Sequence, residues 1–333
     1  MTEMQEPMPA SDKLPARSVD AIEELSGTHP GKRRAHARGI CAKGVFTPSG
    51  QAAQLTFAAH LQQTPCEAII RFSNSAADPA SRDLMSPAKG MAVQFQLPGG
   101  QAARGAPDVL GAPDVHGARG EKPVISAVTA PVFVARTPES FLEMMLAARD
   151  MTRRGDSIKD RLKGMLQLFP HAAEALTAIS SLKPPASFAS VPYYSIHAFY
   201  FVDANGRRRP VKYEWVPDAE EAHLPLIKAA VSSKDYLEDE LRERLDASPI
   251  GFTLRLTLGE EWDPVDDSTS RWPSNRETLE AGHLFIHELI EEPDGLVMDP
   301  TVTGAGIELT PDPILNFRHD AYAVSFERRQ KGI

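Results

Sequence analysis

Cysteine is scarce. Cys41 and Cys66 are the only two in 333 residues, too few for a disulfide framework or a cysteine-built zinc site to organise a chain of this size. Long apolar runs are missing too: no stretch approaches the roughly 20 consecutive apolar residues of a membrane span, and residues 1–14 have no apolar core of a signal peptide. The expected compartment is the cytoplasm. Positive charge is in deficit, with 36 Lys and Arg against 45 Asp and Glu and a formal charge of -9. Nucleic acid and anionic membrane surfaces are therefore poor partners. The Gly-X-Ser-X-Gly elbow, the phosphate loop and the dinucleotide fingerprint are all absent, which removes the main support for hydrolase and nucleotide-dependent functions.

What is present is the balance of a soluble globular protein, 42% hydrophobic and 24% charged. Disorder, collagen and coiled coil are excluded. No Pro/Gly/Ser-rich or charge-rich linker divides the chain, so one domain is expected over residues 17–333, preceded by a polar flexible arm at 1–16. The only repetition is a six-residue tandem copy at 105–110 and 111–116, too short for a solenoid unit. Residues 101–122 are expected to form a mobile surface loop.

Period-2 alternation marks about eight strands, at 35–46, 67–73, 90–97, 126–135, 194–203, 210–216, 252–258 and 283–289. Asn205-Gly206 predicts a tight antiparallel hairpin, because both residues tolerate positive φ. Helical spacing appears at 18–25, 138–149, 157–180 and 218–230, with 233–245 a further candidate. Strands grouped early and late with helices between them indicate an α+β fold. Eight antiparallel strands often close as a barrel.

The last helix is the most informative local object. Thr310 is placed to cap it, Pro311 to occupy its first position, and the pattern runs to Arg328. Arg318, Tyr322, Ser325 and Arg329 then share one face. In a pocket, a guanidinium one turn from a phenol favours the phenolate, and tyrosinate is a known haem-iron ligand. On spacing alone the same face also reads as an exposed cationic stripe.

Three ordered segments carry a family resemblance. Residues 298–329 (MDPTVTGAGIELTPDPILNFRHDAYAVSFERR) resemble the proximal haem segment of monofunctional haem catalases, and more closely that of the small catalase-related peroxidases. Residues 32–46 (KRRAHARGICAKGVF) resemble the distal histidine segment, and 68–95 (AIIRFSNSAADPASRDLMSPAKGMAVQF) the second barrel strand with its turn. The likeness runs from about Val19 to Arg329. It implies a catalase-like antiparallel eight-stranded β-barrel with surrounding and C-terminal helices. It also implies ferric haem b with Tyr322 as the tyrosinate axial ligand and Arg318 as its charge partner. His36 matches the distal histidine that moves the peroxide proton, and Ser73 the serine that fixes its tautomer. Phe141 matches an aromatic beside the distal pocket. Arg33, Arg71 and Arg329 match arginines that bind the haem propionates. The implied activity is a peroxidase that reduces hydrogen peroxide or an organic hydroperoxide through a ferryl oxidant and oxidises a small organic donor. Catalase and a fatty-acid hydroperoxide isomerase are same-fold alternatives, and a haem carrier or sensor is a non-enzymatic one. The resemblance leaves self-association open.

Departures are as informative. The family's distal asparagine falls at Val128, which weakens polarity for the second peroxide that a catalase must oxidise. Thr129 is the nearest polar residue, but in a strand it faces away. The family's compact Arg-Asp-Pro-Arg-Gly turn is spread between Arg82-Asp83 and Lys89-Gly90. Relative to full-size catalases, the long N-terminal arm and C-terminal extension are lacking, so a wider entrance admitting organic reductants is expected. Elsewhere, His283 and His287 lie on a strand pattern, about 13 Å apart and too far to chelate one ion. The acidic run at 260–267 lacks calcium-loop spacing and is expected to be solvated.

Overall fold

Among the described residues ten strands form: β1 (Gly39–Pro48), β2 (Cys66–Asn74), β3 (Lys89–Gln96), β4 (Val124–Val128), β5 (Tyr193–Tyr194), β6 (Phe199–Val202), β7 (Arg208–Pro217), β8 (Ile250–Leu258), β9 (Thr278–Ile290) and β10 (Ile307–Leu309). This computed structural model describes residues 13–86, 88–97 and 122–333. The tandem copy, all but the last residue of the loop expected at 101–122, and most of the expected N-terminal arm lie outside the described residues. Every strand pairing is antiparallel. Pairing β7 with β8 closes the sheet into a ring of eight: β1, β2, β3, β4, β5, β7, β8 and β9. The hairpin at Asn205-Gly206 joins β6 to β7 as its residues predict, and β10 adds to the free edge of β6.

Two expected strands are shorter than the pattern suggests. The one at 126–135 ends at Val128, just ahead of Pro131, and the one at 194–203 breaks into β5 and β6. Inside the ring the pleat sends alternate residues inward; in β8, Ile250, Phe252, Leu254, Leu256 and Leu258 are buried and the residues between them are not. Phe46 meets Phe95 at 5.2 Å and Trp215 at 6.1 Å between ring centroids, both edge-on, while Phe72 stacks on Phe188 at 5.4 Å. The barrel interior is thus filled by side chains, each large one stabilising the fold by about 2–3 kcal/mol.

Helices surround the ring: α1 (Leu14–Ser26), α2 (Pro138–Arg153), α3 (Ile158–Leu168), α4 (Ala173–Ser180), α5 (Leu226–Val231), α6 (Tyr236–Ala247) and α7 (Pro313–Lys331). The single helix expected at 157–180 is broken where Phe169 leaves helical geometry (φ -126°, ψ 66°) ahead of Pro170. The helix expected at 218–230 shrinks to α5, which starts after Pro225. The start of α7 also differs. Asp312, not Thr310, is the cap, its Oδ1 accepting from the Ile314 and Leu315 amides at 2.8 and 3.2 Å, and Pro313 takes the first helical position. Thr310 instead donates its hydroxyl to the Ala198 carbonyl (3.0 Å). Helix α7 is tied to α1 by Arg328, which pairs with Asp20 and Glu23 at 2.7 Å each.

Candidate functional site

One cavity lies between the outer face of the β1–β4 wall and helix α7. Its floor follows from strand pleating. Ile70 and Phe72 point into the barrel core with no exposure, so Arg71 and Ser73 between and beside them point outward. Register then lays Gly39, Ser73, Gly90, Val128 and Tyr194 side by side across five strands, with Cys41, Arg71, Ala92 and Ser126 in the next row. The glycines are required by close approach. A Cβ on Gly90 would lie 2.8 Å from His36 Cε1 and Nδ1 and from Ser73 Oγ, and one on Gly39 would lie 2.8 Å from the Arg71 guanidinium.

His36 stands over Gly90. It is the only described non-glycine residue with positive φ (52°), in the His-Ala-Arg-Gly turn that leads into β1. Its Nδ1 lies 2.9 Å from Ser73 Oγ, and its carbonyl accepts from Arg71 Nη2 at 3.0 Å. Both ends of the residue are therefore pinned. Burial first, then the positive charges of Arg71, Arg318, Arg33 and Lys89, pull its pKa down to about 3. The imidazole is neutral at any ordinary working pH.

The opposite wall is one stripe of α7, formed by Arg318, Ala321, Tyr322, Ser325, Phe326 and Arg329 at helical spacing. The Arg318 guanidinium carbon lies 5.8 Å from the Tyr322 ring centroid. Behind Arg318 is a relay the sequence reading missed. Arg318 Nη1 donates to His197 Nε2 (3.0 Å), which leaves His197 to donate from Nδ1 to Asp312 Oδ2 (2.7 Å). His197 is buried, and its burial outweighs the Asp312 hydrogen bond to leave its pKa at about 4. A polar His197 inside an apolar run, and an Asp312 flanked by prolines, were the available signals.

Arg33, Arg71 and Arg329 converge at the edge of the cavity on a partner that no motif marked. Glu292 receives Arg33 Nη1 at 2.5 Å, Arg71 Nε at 3.0 Å and Arg329 Nη1 at 3.4 Å. The Leu296 carbonyl accepts from Arg33 Nη2 (2.9 Å) and Arg329 Nη2 (2.8 Å). Burial pushes the Glu292 carboxyl up, but the charges and hydrogen bonds of Arg33 and Arg71 outweigh it and hold the carboxyl below its usual range.

Seven of the eight residues singled out from the sequence, His36, Ser73, Arg33, Arg71, Arg318, Tyr322 and Arg329, line this one cavity. Phe141 is not among the lining residues. It stacks on Phe133 (5.7 Å) in a separate cluster with Met144 and Phe169. Val128 lines the cavity, while Thr129 turns away, its hydroxyl accepting from the Lys89 amide (3.1 Å). His283 pairs with Asp218 at 2.8 Å on strand β9, and no cluster of three metal-ligating side chains occurs among the described residues. The acidic run is not uniformly solvated, since Asp263 is buried and gripped by Arg276 at 2.7 and 2.8 Å. No described helix is long and apolar enough to cross a membrane.

The catalase family model matches residues 17–103 and 124–332. The chain belongs to the catalase family. Two catalase-related peroxidases are similar over nearly their whole length: one from Synechococcus elongatus, 29% identical over 97% of this chain and 91% of its own, and one from Mycolicibacterium paratuberculosis, 33% identical over 95% and 94%. A fungal catalase crystal structure superposes with a TM-score of 0.72 at 18% identity, covering 99% of this chain but 65% of the other. Catalase A from Saccharomyces cerevisiae gives 0.68 at 19%, covering 98% and 66%. At those identities the structures support the fold, an eight-stranded catalase barrel.

Haem is the group this family implies, and the donors present fit it. A phenol stands on one wall and a neutral imidazole on the other. Val128, Ile196, Met298 and Phe326 supply apolar surface for a flat ring. Three guanidiniums at one edge suit carboxylates.

Proposed function

We propose that this catalase-family chain is a haem b peroxidase, reducing hydrogen peroxide or an organic hydroperoxide and oxidising a small organic donor. The observation that carries the reading is a single cavity with His36 and Ser73 on its sheet wall and Arg318 and Tyr322 on its helix wall. Tyr322 would ligate the iron as phenolate, with Arg318 charge-supporting it and the His197–Asp312 pair holding Arg318 in place. Arg33, Arg71 and Arg329 would take the propionates. When bound, the haem supplies an iron centre that cleaves the peroxide O–O bond and stores the oxidising equivalents.

The residues of the chain do the rest. If His36 donates from Nδ1 to Ser73 Oγ, its Nε2 lone pair would be free to take the proton of a bound peroxide. The same nitrogen returns that proton to the departing oxygen, which leaves as water or an alcohol. Val128 offers no amide to polarise a second peroxide, which favours an organic donor over oxygen release. The buried, unpaired Cys41 and Cys66 suit a reducing compartment, so the cytoplasm is the proposed location.

The test is haem loading followed by paired dye-oxidation and oxygen-electrode assays. Dye oxidation with little oxygen is expected. Tyr322→Phe should weaken haem binding at least tenfold. His36→Ala should retain haem but consume peroxide about 10²- to 10⁴-fold more slowly. Equal activity in haem-free protein overturns the reading.

A further inference from the structure

Three arginines packed side by side repel one another, and burial lowers the pKa of both Arg71 and Arg329. Something must hold them together. The structure supplies a strap for this, the turn from Glu292 to Leu296, which presents a carboxylate at one end and a backbone carbonyl at the other to the same guanidiniums. The strap is anchored on both sides: Ile290 pairs with Cys41 at the end of β9, and Leu296 is buried beside Cys41 and Val124. Glu292 is therefore held at the arginines by the fold.

The charges then sum to a specific remainder. Arg33, Arg71 and Arg329 carry three positive charges and Glu292 one negative, so the cluster presents a surplus of two at the cavity edge. We propose that Glu292 is a resident counter-carboxylate that keeps the arginine cluster assembled before the cofactor arrives and then competes with the cofactor's own carboxylates for the same donors. This rests on the haem reading above and adds a residue that sets the affinity for the dicarboxylate edge of the porphyrin. Removing Glu292 frees three N–H donors and eliminates a like charge from beside the incoming carboxylates. The ligand should then bind more tightly, while the ligand-free protein becomes less stable.

The probe is metal-free protoporphyrin IX, whose fluorescence reports binding without iron, Tyr322 ligation or turnover, alongside its dimethyl ester. Glu292→Gln is expected to tighten the diacid about tenfold, leave the ester unchanged, and lower the melting temperature of the free protein. As a second reading, added diacid should raise that melting temperature more in Glu292→Gln and in Glu292→Ala than in the wild type. Equal or weaker diacid binding by these variants overturns the counter-carboxylate role and leaves the haem reading intact. If wild-type protein binds neither the diacid nor haem, both fall together.

Discussion

The proton transfer proposed for His36 requires a ring that rests unprotonated at neutral pH, and burial together with four surrounding cations keeps it so. Its position depends on an absent atom. Because a Cβ at Gly90 would sit 2.8 Å from both ring atoms of His36 and from Ser73 Oγ, Gly90→Ala must displace one of them. Peroxide consumption by the loaded enzyme is expected to fall about 100-fold while haem is retained, which stopped-flow and absorption spectra would check. His36, Ser73, Arg71 and Tyr322 were legible because each sits in a local motif whose residues stay together in space. Glu292 and His197 were not. Glu292 lies 259 residues from Arg33 and 37 from Arg329, and His197 lies 121 from Arg318, and no spacing rule links such positions.

Among the elements, α7 couples architecture to chemistry most directly. One carboxylate, Asp312, caps the helix with Oδ1 and holds His197 with Oδ2, so helix start and arginine support share a residue. Asp312→Ala should lose a cap worth about 1 kcal/mol and leave a buried N–H unpaired at about 1–3 kcal/mol more. A urea melt should register roughly 2–4 kcal/mol of destabilisation from the two together, with Asp312→Asn restoring only the cap share of about 1 kcal/mol, because its single amide oxygen cannot also accept from His197. The face of α7 was readable from four residues at spacings of four, three and four. Its first turn was misplaced by two residues, because Thr-Pro-Asp-Pro offers two cap-proline pairs and only tertiary contact with His197 selects the second. The break at Phe169-Pro170 was written in the sequence as a proline that helical periodicity alone overrode.

At the scale of the molecule, three buried histidines among the described residues are folded neutral: His36 and His60 with pKa values of about 3, and His197 at about 4. Unfolded, each returns to about 6.5. Between these values the unfolded chain binds more protons, so stability is full above pH 6.5 and declines as pH falls toward 3. Thermal melts from pH 7 to 4 should show this loss, with these histidines contributing up to about three of the protons taken up on unfolding. His60→Phe should remove one of them, since His60 is a core residue stacked on Phe95 whose Nδ1 has no hydrogen-bond partner. The eight barrel strands were legible because one face of each is core, whereas β10 and the break of 194–203 into β5 and β6 were not. A closed barrel was expected, but not that β7 and β8 would seal it, since pairing partners leave no trace in a single strand's pattern.

The barrel keeps its own aromatic interior, and α7 contributes only Leu315 to it. The cylinder and its paved outer platform are thus complete without that helix, which supplies the wall facing His36 across the cavity. With Tyr322 as the proposed ligand, acquisition of colour would depend on this nineteen-residue rod lying across the platform, and its docking would turn an inert shell into a reagent.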